Sequence, residues 1–110
     1  YLMNVITNDT EKCQTALNAL LDVIDPEIDL NVVDLGLIYQ VDFDETEKKV
    51  FCTMTLTTQF CPMGDSITQA AEEALQIAFP GYSPGIELTF NPPWNSQMIS
   101  PEGRQFLNER

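Results

Sequence analysis

The stretch Met54-Thr55-Leu56-Thr57-Thr58-Gln59-Phe60-Cys61-Pro62-Met63-Gly64-Asp65 decides how the chain is read. Into it, Val50, Cys52, Met54 and Leu56 alternate with Phe51, Thr53, Thr55 and Thr57, the period-two pattern of a strand with one buried face. Out of it, Ile67, Ala71, Ala74, Leu75 and Ala78 fall on one face of a helix expected from about Met63 to Phe79. Cys61 stands at the switch. Pro62 suits the first helical position, where its missing N–H costs nothing. Cys61 is then the expected N-cap, beside unpaired N–H groups that favour a thiolate, and Asp65 one turn in opposes this in part. Position alone leaves a second reading equally open: a small apolar residue filling a turn.

Composition narrows the function. The 110 residues suit one domain, 1–110, and 44% hydrophobic content is enough for one core. No run of eighteen apolar residues occurs, so no membrane span is expected, and no signal peptide is visible. The net charge of −12 would repel a phosphate backbone, which argues against nucleic acid and suits basic partners or metal ions. Three cysteines without paired spacing do not make a disulfide framework, and a reducing, cytoplasmic setting is expected. The absence of histidine removes Ser-His and Cys-His mechanisms and the usual zinc ligands.

Working outward, residues 1–7 read as a frayed lead-in. Asn8 or Asp9 can cap a helix carrying Cys13, Leu17, Leu20, Leu21 and Ile24 on its apolar face, with Glu11 in the first turn. Asp25-Pro26-Glu27 should end it, because the residue before proline resists helical geometry. Ile28 to Gly36 reads as an ordered loop whose carboxylates serve turns or, alternatively, face a pocket near Cys61. Leu37, Tyr39, Val41 and Phe43 alternate with Ile38, Gln40 and Asp42 in a first strand, and Asp44 to Lys49 is a charged hairpin loop. Cys52 points with the buried set. Ile86, Leu88 and Phe90 form a third strand, closed by Asn91-Pro92-Pro93. Trp94 is either a lid over a site or a cover for the sheet end. Ser100-Pro101-Glu102 opens a short terminal helix with Phe106 and Leu107.

The order α-β-β-α-β-α gives a two-layer α+β domain, a small three-stranded mixed sheet packed by helices. No phosphate-binding glycine loop and no general acid/base pair can be picked out. Between Lys49 and Arg104 there is no basic residue, so Cys61 would be activated by the helix terminus, by Arg104 folding back, or by a bound metal. One thiolate is too few for zinc or an iron–sulfur cluster, which suits a transient ligand, shared across a homodimer or with a client.

Asp25-Pro26-Glu27, then Asn31 to Tyr39, then Met54 to Thr57 with Cys61-Pro62 and Asp65, then Pro92-Pro93-Trp94 and Ser100 come in an order that resembles the SufT/PaaD-like metal–sulfur cluster biosynthetic family. That family includes the cytosolic iron–sulfur targeting factors of the mitotic-spindle-associated MIP type. The likeness spans about Leu17 to Leu107. It implies an iron–sulfur cluster assembly domain fold and an accessory role in cluster assembly or transfer, with the assembly machinery and client apoproteins as partners. It also implies a reactive cysteine at Cys61, with a transient iron–sulfur cluster as its cofactor and none tightly bound. Asp25, Glu27, Thr58, Asp65 and Trp94 match, or lie beside, supporting positions. PaaD proper carries a cysteine-rich tail that is lacking here, and Phe60 stands where the eukaryotic factors tend to have histidine, so the SufT-like branch is favoured. The competing expectations are a metal-free acidic adaptor that recruits clients, and a PaaD-like accessory of phenylacetate ring oxidation. A turnover enzyme is not expected.

Overall fold

The structure, a computed structural model, describes residues 5–57 and 64–108. The chain runs β1 (Ile6–Thr7), α1 (Thr10–Leu20), β2 (Ile24–Asp25), β3 (Leu30–Asn31), β4 (Ile38–Asp44), β5 (Lys49–Met54), α2 (Gly64–Ala78), β6 (Ser83–Leu88), a 3-10 turn at Ser96–Met98 and α3 (Pro101–Asn108). The architecture is the expected mixed α+β domain. Alternation holds best in β5, where Val50, Cys52 and Met54 are buried and Phe51 is exposed. The helical stripe of α2 holds too, burying Ile67, Ala71 and Leu75.

The sheet has four strands rather than three, in the order β1-β4-β5-β6. β1 runs parallel to β4, β4 antiparallel to β5, and β5 parallel to β6. The extra strand is the stretch expected to fray. Two residues are too few to show a period, and what holds them is a side chain: Asn8 Nδ2 donates to the Phe43 carbonyl at 2.8 Å, while the Phe43 N–H donates to Asn8 Oδ1 at 2.9 Å. Beside them Asp9 caps α1, accepting from the Lys12 N–H at 3.0 Å.

Helix α1 ends earlier than the sequence pattern suggests. Leu21 and Ile24, assigned to its apolar face, are 40% and 47% exposed. The chain leaves the helix after Leu20 because Ile24–Asp25 folds back on Leu30–Asn31 as a short antiparallel pair, extended by the Val32 N–H donating to the Val23 carbonyl at 3.0 Å. Val23 takes the inward place that Ile24 was expected to fill. The stretch expected to be loop is therefore partly strand. In β4 a register shift between Ile38 and Gln40 puts Leu37, Ile38, Val41 and Phe43 all inside and turns Tyr39 outward, a bulge that period-two counting cannot see.

Helices α1 and α2 pack on each other and on one face of the sheet. Lys12 braces the far end: its ammonium donates to Glu45 and to the Tyr82 hydroxyl and lies over the Phe43 and Tyr82 rings, against both of which Phe79 packs edge-on. The charged hairpin loop thus has a structural use. No helix among the described residues is long and apolar enough to cross a membrane.

Candidate functional site

Past β5 the chain is still held. The Thr55 N–H donates to the Leu37 carbonyl at 2.8 Å, and Thr55 and Leu56 are buried. On the return, Gly64 opens α2 in close contact with Leu56: a Cβ on Gly64 would stand 2.8 Å from Leu56 Cδ1. The residues that flank the connection between β5 and α2, Leu56 and Gly64, therefore meet at one packed point, and the sequence between them contains Cys61. Cys61 and Thr58 themselves, with the expected cap geometry at Pro62, lie outside the described residues. Asp65 sits in the first turn of α2 and is exposed.

The other cysteines are closed to solvent. Cys13 packs in the stripe of α1 and Cys52 in β5, both fully buried. Burial pushes the Cys52 thiol up to about 12, with the neighbouring Cys13 adding to the effect, and burial likewise raises Cys13. Neither is a thiolate near neutral pH, and neither is reachable. The third cysteine, Cys61, lies outside the described residues.

Asp25 is only 1% exposed, yet its carboxylate is occupied locally: Oδ1 accepts from the Glu27 N–H at 2.9 Å, while its carbonyl accepts from the Ile28 and Asp29 N–H groups at 3.2 and 2.7 Å. Asp25 organises a turn, and Glu27 sits exposed on that turn. Asp34 is also spent on structure. Its Oδ2 accepts from Asn31 Nδ2 at 2.7 Å and its Oδ1 accepts from Ser100 Oγ at 2.8 Å. Ser100 in turn caps α3, accepting from the Gly103 N–H at 3.0 Å, and its own N–H donates to the Asp34 carbonyl at 2.7 Å.

These bonds belong to a clasp that fastens residues 91–103 onto the loop after β3. Trp94 Nε1 donates to the Leu35 carbonyl at 2.6 Å, and its ring packs on the core, which is the cover role. Tyr39 donates to the Pro92 carbonyl at 2.8 Å. Gly36, at φ 81°, lets the Met98 backbone approach so closely that a Cβ would stand 2.3 Å from its carbonyl oxygen. Gly103 lies against Ile99, Leu30 and Asp34. Sequence reasoning missed this clasp, although the glycines at 36 and 103 were a usable signal. Arg104 is held by the same segment, donating through Nη2 to the Ser96 carbonyl at 2.9 Å and through Nε to that of Ile99 at 3.3 Å. Among the described residues no group of three or more Cys, Asp or Glu could hold a metal ion.

The clasp and the connection together carry the motifs of the family resemblance, and comparison with known proteins agrees. The family model described as iron-sulfur cluster assembly protein matches residues 14–86, and the chain belongs to that family. It is 43% identical over 76% of its length to an Fe-S protein maturation auxiliary factor of Porphyromonas gingivalis, covering 78% of that protein. It is 36% identical over 71% of its length to the Fe-S protein maturation auxiliary factor SufT of Staphylococcus aureus, covering 88% of that protein. The crystal structure of a DUF59 domain of unknown function from Bacillus anthracis superposes with a TM-score of 0.83 at 32% identity, covering 88% of this chain and 92% of that one. The SufT-like assignment and the expectation of an accessory role in iron–sulfur assembly agree with this family and with the names its members bear.

Proposed function

We propose that the chain is an accessory factor in iron–sulfur cluster assembly or in transfer to client apoproteins, and that Cys61 is its reactive thiolate or transient cluster ligand. The carrying observation is the disposition of the cysteines: Cys13 and Cys52 are sealed in the core, which leaves metal–sulfur chemistry to the one in the connection between β5 and α2. The cluster is cargo, supplied by the assembly machinery and passed on, so the remaining ligands come from a client or from a second copy. The protein acts as a carrier, without a turnover reaction, in the cytoplasm. Asp25 and Trp94 serve this role through the fold, the first by organising the turn after β2 and the second by fastening the segment after β6 onto Leu35.

The acidity of the chain, −12, favours a second reading, an adaptor that recruits clients and never touches metal. Two experiments separate them. Brief iodoacetamide treatment of the native protein should label Cys61 and spare Cys13 and Cys52; labelling of Cys52 at an equal rate would refute the cysteine argument. Replacing the cellular copy with Cys61→Ser, at equal protein abundance, should abolish maturation of a cluster-dependent enzyme while client capture persists, because an alcohol is a poor ligand for soft iron–sulfur chemistry. Full activity of that variant selects the adaptor.

A further inference from the structure

The two faces of the sheet differ. Helices cover one. On the other, the strand register lines up Ile6, Gln40, Thr53 and Glu87 as a row across all four strands. The segment after β6 passes over one end of this face and leaves a cavity of about 1000 Å³ between them, bounded by that row and by Pro92, Met98 and Glu102. Interiors hold few voids larger than a water molecule, so a cleft at the upper end of the ligand-site range is not a packing fault.

Its chemistry is apolar and acidic together. Ile6 stands 65% exposed at its edge. Glu87 and Glu102 contribute negative charge, and Arg104, the one cation in the lining among the described residues, is tied to carbonyls of its own segment. The next register row repeats the pattern: Asp42 faces Phe51, whose ring is 48% exposed and lies on Gly85.

We propose that this face docks a short segment of a partner protein in which basic side chains alternate with apolar ones. Charge complementarity selects the partner, since acidic groups at the cleft and −12 on the whole chain oppose an anionic one. The dimensions agree: four strands spaced ~4.8 Å apart make a row about 14 Å wide, the reach of roughly four extended residues. The site uses the face away from the helices and stands whether or not Cys61 handles metal.

The test uses the full chain and a fluorescein-labelled octapeptide of alternating lysine and leucine, read by anisotropy. The double variant Glu87→Gln, Glu102→Gln should weaken binding about tenfold or more, while Glu72→Gln, Glu73→Gln on the exposed side of α2 removes the same charge and should weaken it less than about twofold. Equal losses would mean general attraction to an acidic protein and would overturn the site. Equally tight binding of the peptide with glutamate in place of lysine, or no binding of the lysine peptide, would do the same. If the cleft variant does not fold, amide shifts of the unsubstituted protein decide: changes on titration should gather at Gln40, Thr53 and Thr89, and changes gathered on α2 refute the proposal. Sedimentation showing a dimer that excludes the peptide would assign the face to a second copy and refute it equally.

Discussion

The family motifs fall in two regions, one around Asp34 and one around Cys61, and in the first of them the motif residues serve the fold. In the clasp every motif group with a described position has a partner in the fold: Asn31 and Ser100 take the two oxygens of Asp34, Leu35 takes the indole N–H of Trp94, and Met98 fills the space that Gly36 leaves open. In the connection, the described residues at its two ends, Leu56 and Gly64, pack on each other, and Cys61 between them lies outside the described residues. A motif residue is therefore not a chemical residue by default. The Asp34 carboxylate is held in place by its two hydrogen bonds as part of the fold, whereas Cys13 and Cys52 are claimed by the helix stripe and the strand face, and the proposal for Cys61 rests on that difference.

The contrast can be broken at graded cost. The core beneath both regions should tolerate least: Cys52→Asp places an unpaired charge at a fully buried site and should unfold the domain, a loss comparable to the ~5–15 kcal/mol a domain has in all. A cooperative melt like that of the unsubstituted chain would contradict the burial. Gly36→Ala comes next, because it combines a left-handed backbone with a Cβ against the Met98 carbonyl; about 3 kcal/mol or more should appear in urea unfolding, with faster hydrogen exchange in α3. Ser100→Ala removes a helix cap and one bond to Asp34 and should cost about 1–2 kcal/mol, with Ser100→Thr recovering part of it. Cys61→Ser should be smallest, within about 1 kcal/mol by the same measurement. If it destabilised as much as Ser100→Ala, the cysteine would be structural and the contrast between the two regions would vanish.

How far the site could be read ahead of the structure follows the same division. Cys52 and Cys13 were assigned to the interior from period alone, and both are there, because a residue inside a long regular element inherits the burial of its face. Asp25, Glu27 and Asp34 could not be assigned that way. Carboxylates in a loop have the same spacing whether they hold a turn or face a pocket, and only their hydrogen-bond partners separate the two cases; for Asp34 the partner lies 66 residues away, at Ser100.

By itself, the sequence determined the mixed α+β class, the long elements α2 and β5, the cap at Ser100, a first cap at Asn8 or Asp9, and the family, since each rests on local pattern or on ordered motifs. Tertiary structure alone decided the fourth strand, the early end of α1, the bulge at Tyr39, the use of Trp94 as a cover and the acidic cleft on the uncovered sheet face. The physical reason is distance along the chain. A two-residue strand, a lone loop carboxylate or a tryptophan after two prolines has no period of its own, and its conformation is set by groups that only folding brings beside it.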